Sequence, residues 1–219
     1  MSILLSIFLL SFVYGLTGAL TPGPVLTGVI VDTPKVGWKT GPLYILGHSI
    51  LEICVIIASF FGLSLILNLT PVFITISIGG SIVLFILAFL LLKDIKKISL
   101  LKIIKNKENL HNRNSIFAGI YLSLSNPFWI IWWATAGLAH MDSLNVFYYG
   151  IIGALIYFIG HILSDLSWYS FISTMIYFGK NLITDKLYKI VLIICAIFFI
   201  YFGIKFILLV FFPNLYFPI

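Results

Sequence analysis

The chain has 219 residues, of which 61% are hydrophobic and only 9% are charged, and its formal net charge is +6. Soluble domains usually contain about 25% charged residues, so this composition excludes an ordinary soluble protein and indicates an integral membrane protein. The apolar runs are far longer than the alternating segments of about ten residues that form membrane β-barrels, and they predict an all-α fold. Six runs are long enough to cross a hydrocarbon layer of about 30 Å. These predicted transmembrane helices cover residues 4–31, 41–67, 72–92, 115–139, 145–178 and 187–212.

The first predicted span is interrupted by the sequence LTPGPVLTG at residues 20–28. Pro22 and Pro24 have no backbone N–H to donate, and Gly23 between them loosens the turn, so the helix is predicted to be broken there. The prolines also leave backbone carbonyls one turn earlier without their helical donors. In a bilayer such backbone is stable only against protein or a wet cavity, which makes the break a candidate binding site.

The second span carries polar residues in the sequence YILGHSILE at residues 44–52. Tyr44, His48 and Glu52 are spaced four residues apart and therefore share one stripe of a helix. Because a carboxylate that faces lipid at mid-depth costs about 3 kcal/mol, the stripe is predicted to face the interior of the bundle.

A basic connection at residues 93–114 follows the third span and is predicted to be a cytoplasmic linker between two halves, residues 1–92 and 115–219. Every Lys and Arg except Lys205 lies in this connection, in the one after the first span, or in and just beyond the one after the fifth span. The positive-inside rule then places these connections in the cytoplasm and both termini outside the cell membrane. The excess positive charge lies beside membrane spans, where its expected partner is anionic lipid rather than nucleic acid.

The fourth span contains a second predicted break, in the sequence SLSNPFW at residues 123–129. Pro127 again removes a helical donor, and Ser125 and Asn126 place polar side chains beside the break. The first and fourth spans are three apart, so the two breaks are predicted to approach mid-membrane from opposite sides.

The fifth span repeats the polar pattern of the second in the sequence YFIGHILSD at residues 157–165. Tyr157, Gly160, His161 and Asp165 match the corresponding residues of the second span at a constant offset of 113 residues. The two copies lie three spans apart, so their helices must cross the bilayer in opposite directions. The chain is therefore predicted to form two inverted three-helix repeats, an architecture typical of secondary transporters with a binding site near mid-membrane.

The two breaks together favour a zwitterionic substrate. Amide groups at the start of a half-helix suit a carboxylate, whereas free carbonyls and buried acids suit an ammonium group, and a free amino acid carries both. Trp129, at the second break, can close over a cationic group by a cation–π contact. Trp132 and Trp133 are instead interpreted as an aromatic belt at the outer membrane surface. The predicted substrate-binding residues are Thr21, Pro22, Gly23, Pro24, Ser125, Asn126, Pro127 and Trp129.

The two polar stripes are candidates for proton coupling, because a buried histidine and a carboxylate can pair and exchange a proton. The alternative is that they are polar clamps between helices and bind nothing. Duplicated clamps would not require titratable groups, which favours the functional interpretation. The predicted proton-coupling residues are His48, Glu52, His161, Asp165, Tyr44 and Tyr157.

Three motifs together resemble the lysine exporter (LysE/RhtB) family of translocators. They are the Pro-Gly-Pro of residues 22–24, the sequence GWKTGPLYILGH at 37–48 and the Asn-Pro of residues 126–127. The resemblance extends over essentially the whole chain and implies six spans, amino-acid export and coupling to an ion gradient, with the binding role falling on the proline motifs. Many members carry Asp after the glycine that matches Gly47, whereas this chain carries His48. The wider superfamily is also similar to divalent-metal exporters, which a histidine beside carboxylates would suit.

The leading hypothesis is therefore secondary-active export of amino acids or similar small zwitterions, coupled to protons. The alternative is a divalent metal cation exporter that uses the histidines and acids of both stripes as ligands. The sequence has neither an HExxH nor a GxSxG motif, so no enzyme activity is expected. We expect a small-molecule substrate and membrane lipid as partners, with no cofactor and no resident metal, and we leave homo-oligomerisation open.

Overall fold

A computed structural model describes residues 3–63, 66, 69–93, 95, 114–179 and 184–212, and these residues form helices and no strands. The predicted linker at 93–114 lies almost entirely outside the described residues. The helices are α1 (Ile3–Ala19), α2 (Pro24–Val36), α3 (Thr40–Phe60), α4 (Thr70–Lys93), α5 (Ser115–Leu124), α6 (Pro127–Trp132), α7 (Leu138–Ser143), α8 (Gly150–Gly179) and α9 (Asp185–Phe211). A π-helical turn, Trp133–Gly137, joins α6 to α7, and a 3-10 turn, Val146–Tyr149, precedes α8.

Within the described ranges, four helical segments are long and apolar enough to cross a membrane, and they contain α3, α4, α8 and α9. Helices α1 and α2 together qualify as a fifth, bent by 75° at the break between them. The predicted fourth span is divided into α5 and α6, so neither piece is long enough by itself. The all-helical membrane fold is confirmed, while the count of six spans stays a prediction.

Both helix breaks are closed by tight turns of the backbone. At the first, the Thr21 amide donates to the Gly18 carbonyl at 3.1 Å, and Gly23 is extended before α2 begins at Pro24. At the second, the Asn126 amide donates to the Ser123 carbonyl at 3.0 Å. The expectation that carbonyls one turn before the prolines are free is therefore wrong for these two carbonyls, because a turn donor replaces the missing helical one.

The glycines of the repeated motif bring helices from different halves into close contact. A Cβ atom on Gly160 of α8 would collide with the Phe8 carbonyl of α1, and one on Gly47 of α3 would collide with the Ile116 carbonyl of α5. Helix α8 packs along α1 and helix α3 along α5, so each polar stripe is held against a broken helix of the other half. The helix backbones can come this close because glycine has no side chain.

Helices α3 and α8 pack against each other in antiparallel orientation. Near the start of α3, Gly41 lies against Tyr169 in the second half of α8. Further along α3, Glu52 contacts His161, which comes earlier in α8. The two polar stripes therefore run past each other in opposite directions and meet in the middle of the bundle.

Substitution of Gly160 tests this packing. We expect Gly160→Ala to destabilise the protein by about 1–3 kcal/mol, because the added methyl group must push α8 away from α1. The matched control is Gly79→Ala on α4, where a Cβ atom would meet nothing within 4 Å. The measurement is the Tm of the detergent-purified protein. Equal Tm values for the two variants would contradict the close helix crossing.

Candidate functional site

The carboxylate of Glu52 lies at the centre of the bundle and is fully buried. Its Oε1 atom is 3.1 Å from Nε2 of His48, one turn earlier on α3, and 3.1 Å from Nε2 of His161 on α8. One carboxylate oxygen thus bridges the two copies of the repeated motif. The structure brings both polar stripes together, whereas the sequence predicted pairs within each stripe.

Two indoles of the second half also face Glu52. Trp129 of α6 and Trp133 of the π-helical turn donate their Nε1–H groups to Glu52 Oε1 at 3.4 and 3.3 Å. Trp132 and Trp133 are only 5% and 1% exposed, so their interpretation as an outer aromatic belt is wrong. A carboxylate in the interior needs hydrogen-bond donors, and the indole N–H groups supply them. Single-turn π-helical insertions such as this one are frequent at functional sites.

Asp165 completes a histidine–carboxylate cluster with His48, Glu52 and His161, and it lies further from the two histidines than Glu52 does. Its Oδ2 atom is 3.8 Å from His48 Nε2 and 4.0 Å from His161 Nε2, and the side chain is buried. Among the described residues this oxygen has no hydrogen-bond partner, and neither have Glu52 Oε2 and His161 Nδ1. Buried polar atoms are normally paired, so these three atoms are where the cluster can interact with a further group.

The hydroxyl group of Ser123 constrains the protonation of His48. Ser123 Oγ donates to the Gly119 carbonyl at 2.7 Å and lies 2.8 Å from His48 Nδ1. A hydroxyl has one proton, so while it bonds Gly119 it can only accept from His48, whose Nδ1 must then carry a hydrogen. The contact between His48 and Glu52 then requires one more proton, either on His48 Nε2 or on the carboxylate. In this arrangement one proton therefore lies between His48 Nε2 and the Glu52 carboxylate.

The cluster lines a small buried cavity, which we call the central cavity and which also touches both helix breaks. Its volume is about 40 Å³, which holds about three water molecules. Thr21 and Gly23 line it from the first break, and Asn126 and Trp129 line it from the second. A Cβ atom on Gly23 would lie 3.2 Å from the side-chain amide nitrogen of Asn126. The two helix breaks therefore meet at this cavity.

Several of the predicted binding residues have local structural roles. The Thr21 hydroxyl donates to the Thr17 carbonyl at 2.9 Å, and the Ser125 hydroxyl donates to the Tyr121 carbonyl. Pro22 is half-buried at the first break, Pro24 begins α2 and Pro127 begins α6. Of the predicted set, the residues that line the cavity are Thr21, Gly23, Asn126 and Trp129.

The two tyrosines predicted in the stripes bond outside the cluster. Tyr44 donates to Asp32 Oδ2 at 2.5 Å, and the Tyr157 hydroxyl lies 3.1 Å from His140 Nδ1. Side chains on a helix point towards its N-terminus, so a long tyrosine one turn before a histidine reaches away from it. The Tyr157 ring still lies parallel to the His161 ring, with centroids 6.2 Å apart.

Sequence reasoning missed Asp32, His140 and Ser123 as members of these networks. Asp32 and His140 each had a signal, since an ionisable residue within an apolar run is by default a candidate functional residue. Ser123 had none, because serines in membrane helices commonly bond their own backbone.

The LysE type translocator family model matches residues 16–209. The chain belongs to the LysE type translocator family. This confirms the resemblance found in the sequence, and it makes the chain a multi-pass membrane transporter. The matched region of this LysE type translocator includes both helix breaks and every residue of the histidine–carboxylate cluster. No curated protein and no solved structure matches the chain significantly.

Removing the Glu52 carboxylate tests its role as the shared acceptor. We expect Glu52→Ala to lower stability by about 3–5 kcal/mol, because two imidazoles and two indoles lose their buried acceptor. Glu52→Gln should be much milder, since its amide oxygen can still accept. Tm of the purified protein is the measurement, and Asp142→Ala, at an exposed acid of α7, is the control. A Glu52→Ala protein as stable as the control would exclude the shared-acceptor geometry.

Proposed function

We propose that this LysE type translocator is a secondary-active exporter of amino acids or similar small zwitterions, coupled to protons. The observation that carries the proposal is that the histidine–carboxylate cluster and both helix breaks line one buried cavity. A site of this kind offers groups of opposite character to the two ends of a zwitterion.

The ammonium end of the cargo would bind at Asp165, whose Oδ2 atom lines the cluster without a hydrogen-bond partner among the described residues. The carboxylate end would bind at the start of α2. The first helical bond there runs from the Thr27 amide to the Gly23 carbonyl, so the amides between them have no acceptor within the helix. The helix dipole adds positive potential at the same place. A cavity of about 40 Å³ must widen to admit an amino acid, as alternating access requires.

Proton coupling follows from competition between positive charges. His48 and His161 both lie about 4 Å from Asp165 Oδ2. At low dielectric, an imidazolium and a cargo ammonium beside the same carboxylate repel each other by several kcal/mol. The cluster therefore favours either the extra proton or the cargo, and their exchange would drive export by proton entry.

Two inverted three-helix repeats, residues 1–92 and 115–219, are the architecture that we propose for this exchange, with both termini outside the cell. The antiparallel packing of α3 and α8 supports this architecture. The reciprocal packing of α8 on α1 and α3 on α5 supports it as well.

Counterflow in proteoliposomes tests the proposed function. We expect wild-type protein to exchange at least one amino acid from a panel of all twenty, and to acidify the lumen when cargo leaves. Glu52→Gln and Asp165→Asn should each lower the rate by at least about tenfold, since each removes a buried charge that binds cargo or proton. Asp142→Asn is the matched control. The proposal would be contradicted if the wild type exchanged no amino acid of the panel, or if the variant with both Glu52→Gln and Asp165→Asn were fully active.

Export of a divalent metal cation is the second candidate function, and one observation favours it. Ligand atoms of His48, Glu52 and Asp165 all lie within 4.8 Å of one another. Zn²⁺ binds nitrogen and oxygen ligands at about 2.0–2.2 Å, so small side-chain adjustments would place these atoms around one ion.

Metal counterflow distinguishes the two candidates. If the cargo is a metal, Mn²⁺ or Zn²⁺ should exchange while amino acids do not, and His48→Gln should lower metal exchange by at least about tenfold through loss of a ligand. The control is His140→Gln, which lies outside the three-residue set. Absence of metal counterflow in active proteoliposomes would remove this candidate.

A further inference from the structure

A second, larger cavity lies between α2, α4 and α5. It has a volume of about 500 Å³, within the range of pockets that bind small molecules. It extends from Asn114, at the start of α5, to Pro24, at the start of α2. We call it the entry crevice.

A thin wall separates the entry crevice from the central cavity. On α2, Pro24 and Thr27 line the entry crevice, whereas Val25 lines the central cavity. On α3, Tyr44 lines the entry crevice and His48, one turn later, lines the central cavity. The wall therefore consists of the first turn of α2 and the side chain of Tyr44.

Among the described residues that line the entry crevice, Asp32 is the one that carries a formal charge. It is 3% exposed, its Oδ2 atom accepts the Tyr44 hydroxyl at 2.5 Å, and its Oδ1 atom lies 3.9 Å from Lys35 Nζ. The lining opposite Asp32 is mostly apolar, with Leu87 and Phe117 in it, and Asn114 and Tyr121 add polar groups there. A carboxylate facing apolar walls suits a molecule with an ammonium group and an apolar side chain. A hydrated metal ion, which needs oxygen ligands, gains nothing from the apolar part of that lining.

We propose that the entry crevice is a loading site for cargo that carries an ammonium group and an apolar side chain. Asp32 binds the ammonium and the apolar walls hold the side chain. The ammonium competes with the Tyr44 hydroxyl for Asp32, which loosens the tie between α2 and α3 and lets the wall open towards the central cavity. The inference rests on the proposed function in one respect: the loaded molecule is the exported cargo.

The position of the entry crevice agrees with loading from inside the cell. Asn114 adjoins the basic connection that precedes α5, and Lys35 adjoins the one between α2 and α3. The positive-inside rule places basic connections in the cytoplasm. An exporter takes up its cargo on that side.

Protection of an engineered cysteine tests the loading site. Ala118→Cys, on the wall of the entry crevice, is introduced into full-length protein that also carries Cys54→Ala and Cys195→Ala. Its reaction with a membrane-impermeant maleimide is followed with L-leucine, isoamylamine, isovalerate or MnCl₂ present. Leucine and isoamylamine should slow labelling about tenfold when present at about ten times their Kd. Isovalerate, which lacks the ammonium, and MnCl₂ should leave the rate unchanged.

Variants of the charged residues identify the group that binds the ammonium. Asp32→Asn keeps an acceptor for Tyr44 but removes the charge, so Ala118→Cys should still be labelled and leucine should no longer protect it. Lys35→Met removes a competing cation and should lower the leucine concentration needed for half-protection. Asp142→Asn should behave as the parent. Failure of Ala118→Cys to react, protection that survives Asp32→Asn, an unchanged half-protection concentration in Lys35→Met, or Asp32-dependent protection by MnCl₂ would each overturn the proposal.

Combining the readouts separates this inference from the proposed function. In the Ala118→Cys background, Glu52→Gln should lower counterflow by at least about tenfold while leucine protection persists. Counterflow without any protection by leucine would overturn the loading site alone. Asp32-dependent protection in a protein that exchanges no amino acid would overturn the proposed function alone.

Discussion

One carboxylate oxygen shared by two imidazoles is the interaction on which the rest of this structure depends. Glu52 brings one fully buried acid into an apolar bundle, and His48 and His161 meet it from two antiparallel helices at 3.1 Å each. An isolated charge there would be very unfavourable, so the helices that carry the donors must stay together. The position of α3 against α8 is therefore fixed by charge as well as by packing.

Close packing of the same helices follows from the same short motif. The glycine immediately before each histidine, Gly47 or Gly160, lies against the backbone of a helix from the other half. Each Gly-His pair therefore has two roles. The glycine sets the distance between the helices, and the histidine points into the bundle beside that contact. Gly15 of α1 contributes similarly, because a Cβ atom there would lie 2.8 Å from His161 Nδ1.

The membrane class, the family and the helical fold could be predicted from the sequence, because each depends on composition or on short motifs. The polar stripes could be found as well, because four-residue spacing places residues on one helix face. The cross-helix partner of Glu52 was not predictable, since helical periodicity describes one helix and contains no register between helices. Trp133 was misplaced for a related reason. Its direction depends on a π-helical turn, which no local sequence pattern indicates.

The tyrosines of the two polar stripes form hydrogen bonds at opposite ends of the site, because α3 and α8 are antiparallel. Tyr44 and Tyr157 each precede a cluster histidine by one turn, and each side chain points towards the start of its own helix. Because α3 and α8 run in opposite directions, the two hydroxyls lie on opposite sides of Glu52 along the bundle. One is tied to Asp32 and the other to His140. The two ties therefore join α3 to α2 on one side of the shared carboxylate and α8 to α7 on the other.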